Sequence, residues 1–149
     1  ETTSGLLSFL FYELLSNPEA YSVAQKEVDD IIGKQKITLD LLSKLPYINA
    51  CLRETLRLHP TAPGFALTAK EDQVLGGSYK IKKGDVCVAV LPLIHRGTTV
   101  YGEDAEAFKP ERMLDEPFGK LPPHSWKVRQ ATESLVLLLR FTDCVLALR

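Results

Sequence analysis

The chain has 149 residues, enough for one domain-sized core, and its 45% hydrophobic and 25% charged residues give the profile of a folded globular protein, not a disordered one. Eighteen basic residues against 19 acidic ones leave a net charge of −1, which removes any electrostatic case for nucleic-acid binding. No apolar run is long enough to span a bilayer, and the three irregularly spaced cysteines argue against a disulfide framework and fit a reducing, cytoplasmic compartment.

Residues 1–60 read as helical. The stretch from Glu1 to Leu15 carries Leu6, Leu7, Leu10 and Leu14 on one continuous apolar face. No basic, cleavable leader opens it; the chain begins inside the helical pattern. Asn17-Pro18 breaks this helix, and Pro18 opens the next. That second helix turns Tyr21, Ala24, Val28, Ile31 and Ile32 inward and Gln25, Lys26, Asp29 and Asp30 outward, with Gly33 as its C-terminal cap. A short helix is expected over Leu39 to Lys44. Pro46 suits a first helical position, and Pro60 ends the helix that follows, because the residue before a proline is pushed out of the α region.

Residues 61–113 change character to a small β region with connecting helices. Phe65 to Thr68 is a short strand, and Val74 to Ile81 is a hairpin turning at Gly76-Gly77. Val86 to Leu91 is strongly β-forming and too continuous to face water, so it predicts a buried strand that carries Cys87. Leu93 to Thr99 and Glu103 to Phe108 are short helical pieces. Residues 114–149 complete the chain as a meander, an amphipathic helix over Lys127 to Leu139 and a strand over Thr142 to Leu148. The expected fold class is mainly α with a small β portion.

The helix between Pro46 and Pro60 holds Glu54 and Arg57, three apart and on one face. The helical neighbours of Glu54 are Ala50, Cys51 and Leu58, so its carboxylate is expected to be at least partly buried and to need Arg57 as a partner. Alone, Glu-x-x-Arg reads equally as a surface ion pair worth under about 1 kcal/mol. His59 and His124 have no metal-ligating partner at suitable spacing, and no metal is assigned.

Glu54-x-x-Arg57, then Thr61-Ala-Pro-Gly-Phe65, then Phe108-Lys-Pro-Glu-Arg-Met113 occur in an order that resembles the haem-thiolate monooxygenases of the cytochrome P450 family. Met113 stands where that family usually has Phe. In wording the chain is most similar to the self-sufficient fatty-acid hydroxylases, whose haem domain is fused to a flavin reductase. The resemblance implies a charge clamp of Glu54, Arg57 and Arg112 that braces the loop before the haem ligand. It implies that Glu1 and Thr2 are the proton-relaying carboxylate and the oxygen-site hydroxyl; read from the residues alone, Thr2 or Thr3 is a helix N-cap. It places Ala62, Pro63 and Gly64 over the haem face, shaping a pocket for an acyl chain; a plain helix-to-strand connection is the other reading. His95-Arg96 resembles a further family element, or is an ordinary loop histidine. The implied cofactor is haem, with NADPH, FAD and FMN acting only through a reductase, and the implied partners are O2, a small apolar substrate and that reductase.

One departure is large. After Trp126-Lys127 the family reads Phe-Gly-x-Gly-x-Arg-x-Cys-x-Gly, which supplies the thiolate that ligates iron. Here the chain runs Lys127-Val-Arg-Gln-Ala-Thr-Glu133, and no glycine follows Gly119. Cys144 sits in an apolar strand pattern where an inert thiol is expected. Two expectations of different class follow: a C-terminal piece of a monooxygenase domain covering residues 1–149, or a truncated or mis-spliced chain without haem-thiolate activity.

Overall fold

The computed structural model describes residues 2–123, 125 and 126. The chain forms helix α1 (Thr2–Ser16), α2 (Pro18–Ile31), a single turn α3 (Leu39–Leu42) and α4 (Pro46–Leu58). Strands β1 (Gly64–Thr68), β2 (Gln73–Leu75), β3 (Tyr79–Ile81) and β4 (Val86–Val90) follow, then the short helices α5 (Leu91–Ile94) and α6 (Thr98–Tyr101). A 3-10 turn (Pro110–Met113) and α7 (Asp115–Gly119) close the described part. The expected helix over Lys127 to Leu139 and the strand over Thr142 to Leu148 lie outside the described residues.

The core is built by α1, α2 and α4. Leu6, Leu10 and Leu14 of α1, Ala24 and Val28 of α2, and Ile48, Cys51 and Leu52 of α4 are buried in one cluster. The spacing of three and four along each helix puts these residues on one stripe. Helix α4 is buried on nearly every side, and both its ends are served by distant side chains. Leu45 precedes it and provides no side-chain cap. The Glu27 carboxylate on α2 instead accepts the Tyr47 and Ile48 backbone N–H groups at 2.8 and 2.9 Å. An anion there meets two of the unsatisfied donors of a helix start. Burial raises the Glu27 pKa, and these two N–H groups oppose the rise. At the other end Arg96 Nη2 donates to Leu58 O at 2.6 Å.

The small β region departs from expectation. Strands β1 and β4 pair antiparallel, with Thr68 opposite Val86 and Gly64 opposite Val90. The β2–β3 hairpin turns at Gly76 and Gly77, whose φ values of 55° and 72° are those a primed hairpin turn needs. The expectation of a buried strand over Val86 to Leu91 is incorrect for the described residues: Val86 and Val88 are each 63% exposed, and Cys87 is half-buried. Residues directly opposite in a ladder share a face. Val86 and Val88 therefore lie on one face and Leu67 and Phe65 on the other, and all four are exposed. The apolar run reports a surface suited to being covered on both sides. The Val86/Val88 face is open, and on the other face Cys87 and Ala89 are only half-buried, with Cys87 beside Leu75 and Ile81. The expected helical pieces also shift: the observed helices are α5 and α6, whereas 103–106 is a turn.

Such a two-sided apolar ribbon favours self-association. The double substitution Val86→Lys, Val88→Lys is expected to lower the concentration-dependent association of the chain, followed by light scattering across a dilution series. Unchanged association would place its cause elsewhere.

Candidate functional site

Helix α4 positions the site, since Glu54 and Arg57 project from it into the interior and both side chains are fully buried. Arg57 Nε and Nη2 donate to Glu54 Oε2 and Oε1, each at 2.8 Å, in a bidentate pair. The remaining N–H groups reach main-chain carbonyls: His95 O at 2.9 Å, Ala105 O at 2.6 Å and Ala107 O at 3.1 Å. All five guanidinium donors are thereby used. The Tyr101 ring lies beneath the guanidinium, 4.7 Å from Cζ to the ring centroid.

Glu54 Oε1 accepts a second bond from the Lys109 backbone N–H at 3.0 Å. Arg112 completes the cluster. Its Nε is 3.1 Å from Glu54 Oε1, an ion-pair contact whose N–H is not aligned for a hydrogen bond. Its Nη1 and Nη2 donate to Tyr101 O and Asp104 O at 3.0 and 3.2 Å. Contact with Lys109 and Arg112 holds the Asp104 carboxyl below its usual range. The three residues expected to form a clamp are thus brought together, and the surface-pair reading of Glu54 and Arg57 does not apply.

The loop bracing goes further than the charged trio. His95 is 4% exposed, and its Nδ1 lies 3.3 Å from Arg57 O. Burial lowers its pKa, helped by the Arg57 and Arg96 charges and opposed by the carbonyl of Arg57 and the backbone of Trp126. His95 Nε2 has no partner with hydrogen-bond geometry among the described residues. Nothing in the sequence marks the carbonyl acceptors at 95, 105 and 107 or the ring of Tyr101 as partners of Arg57. Backbone acceptors leave no mark in residue type, and Tyr101 lies 44 positions from Arg57 along the chain.

The remaining expected site residues lie differently. Glu1 and His124 are outside the described residues. Thr2 opens α1 and is exposed. The start of α1 does approach the 61–64 segment: a Cβ added at Gly5 would lie 3.6 Å from Thr61 Cγ2. Ala62, Pro63 and Gly64 are exposed. Pro63 O accepts the Leu91 N–H at 2.9 Å, and a Cβ at Gly64 would lie 2.5 Å from Ala89 O. Here the small residue makes room for the neighbouring strand. His59 pairs with Glu13 across α1 and α4, its Nε2 2.6 Å from Glu13 Oε1, with Phe9 stacked on its ring at 4.4 Å. That partner comes from the fold and not from local spacing.

A haem held by thiolate needs a cysteine on a loop whose N–H groups point at the sulfur. Cys51 is fully buried in mid-α4, where backbone N–H groups belong to the helix. Cys87 is in a paired strand opposite Leu67, at a groove of about 380 Å³ that it shares with Lys70, Leu75 and Ile81. Neither fits the ligand position, and Cys144 lies outside the described residues.

The cytochrome P450 family pattern matches residues 1–126. Over 127 residues the chain is 58% identical to a self-sufficient cytochrome P450 monooxygenase of Oidiodendron maius, covering 85% of this chain and 12% of that protein. A self-sufficient monooxygenase of Exserohilum turcicum is 57% identical over the same length and shares of both chains. A bifunctional cytochrome P450/NADPH–P450 reductase of Aspergillus oryzae is 57% identical over 134 residues, again 85% of this chain and 12% of the relative. The chain therefore spans a small part of the length of these relatives. The matched stretch runs through the whole Glu54–Arg57–Arg112 cluster, and the chain belongs to the cytochrome P450 family.

Proposed function

We propose that this chain is a stretch of a haem-dependent monooxygenase that places one oxygen atom of O2 into a fatty acid or similar apolar substrate. In that reaction the second oxygen leaves as water, and the electrons come from NADPH through a flavin reductase. The relatives' names support the reductase and the monooxygenase class. Within the stretch, the buried cluster of Glu54, Arg57 and Arg112 is a structural clamp. The observation that carries this is the complete use of the Arg57 donors on groups from α4 and the 95–107 loops, with both charges out of water. A guanidinium so committed has no donor left for substrate or cofactor.

A second reading, a chain without haem-thiolate activity, is favoured by the residues after Trp126, which lack the glycine–cysteine loop. The two are separated by spectroscopy. The chain is reconstituted with haem, reduced and exposed to carbon monoxide. The expected result is no red-shifted Soret band of cysteinate ligation. The band is expected once a glycine–cysteine loop is grafted after Lys127 in the full-length protein. A red-shifted band from the chain as it stands, abolished by Cys144→Ser, would make Cys144 the ligand and overturn the second reading.

A further inference from the structure

Tyr101 touches both arginines of the clamp. Its ring carries the Arg57 guanidinium at 4.7 Å, and its carbonyl accepts from Arg112 Nη1 at 3.0 Å. The side chain is 5% exposed and ends in a hydroxyl that donates to Ser125 O at 3.2 Å. Burial raises the Tyr101 pKa against the opposing Arg57 charge. The next residue, Trp126, adds its own contacts to the same segment and packs against the cluster that holds Tyr101. Its Nε1 donates to Arg53 O at 3.3 Å, and its ring meets Phe118 edge-on at 4.8 Å.

We propose that Tyr101 is a positioning residue that couples the Glu54–Arg57 pair to the Ser125–Trp126 segment. This rests on reading that pair as a clamp. The segment is the stretch immediately before residue 127, where the family resemblance expects the haem-ligand loop. The guanidinium sets the ring plane of Tyr101, the ring sets the direction of its hydroxyl, and the hydroxyl fixes the Ser125 carbonyl. A tyrosine that served only as core filling, beside Ala50, Ala105 and Met113, would need no hydroxyl.

Trp126 is the single tryptophan of the chain, so its fluorescence reports the docking directly. Tyr101→Phe keeps the ring and its contact with Arg57 and removes only the donor. The expected result is unchanged helical circular dichroism with about a fivefold rise in the undocked population of Trp126, the usual effect of one lost hydrogen bond. It is read as red-shifted emission and steeper acrylamide quenching. Unchanged quenching in a folded Tyr101→Phe protein overturns the coupling while leaving the clamp standing, because the clamp is tested separately by the stability of Glu54 and Arg57 variants. Should Tyr101→Phe lose its helical signal, the unsubstituted chain decides the matter in a denaturant series. Coincident Trp126 and helical transitions support the coupling, and release of Trp126 while the helices persist overturns it.

Discussion

Arg57→Ala is expected to destabilise the chain by about 3–5 kcal/mol, because it leaves a fully buried carboxylate without its counter-charge. The same substitution strips hydrogen bonds from the carbonyls of His95, Ala105 and Ala107. Glu54→Ala is expected to fall in the same range, since it orphans the Arg57 guanidinium and the Lys109 N–H. Arg112→Ala is expected to cost less, because its side chain is 16% exposed and its Nε contact to Glu54 is poorly aligned. In urea the first two substitutions correspond to a midpoint lowered by more than about 1 M, or to loss of a cooperative transition. Midpoints equal to the parent for both would mean a solvated pair and end the clamp reading. The buried geometry does not imply that the pair stabilises more than an apolar isostere would. What it does is tie the 95–107 loops to α4 in one arrangement.

Leu10→Ala is expected to cost about 2–5 kcal/mol, from lost burial and from the cavity left between helices that only partly collapse around it. Leu10 is fully buried midway along α1, between Leu6 and Leu14, in the cluster shared with α2 and α4. Leu15→Ala is the internal control. That leucine is 72% exposed, and its truncation is expected to stay within about 0.5 kcal/mol of the parent. Thermal or urea midpoints measure both. Equal effects at the two positions would mean that α1 is not docked on α4 in solution, and the His59–Glu13 pair between these helices would then be lost as well.

The helical half was legible because its signals are local. Pro46 and Pro60 bracket α4 by backbone sterics, and the burial of Leu6, Leu10, Leu14, Ala24, Val28 and Ile48 follows from helical period alone. Gly76-Gly77 placed the hairpin turn by its conformational freedom. The Glu54–Arg57 partnership was legible for the same reason: three residues apart on a helix is a contact distance. By itself, then, the sequence determined the long helices α1, α2 and α4 and where they stop, and it put Glu54 and Arg57 within reach of each other; the short helices after β4 and the burial of that pair it left open.

Everything that crosses between elements was decided by the tertiary structure. Glu27 caps α4 from 20 positions away, and the carbonyls that saturate Arg57 come from loops 38 to 50 positions downstream. Those partners are chosen by where the backbone passes, and a backbone carbonyl is the same in every residue. The exposed β1–β4 ribbon shows the converse. A continuous apolar strand records the surroundings its side chains suit, while its actual exposure depends on which other segments reach it, a fact that no local pattern contains.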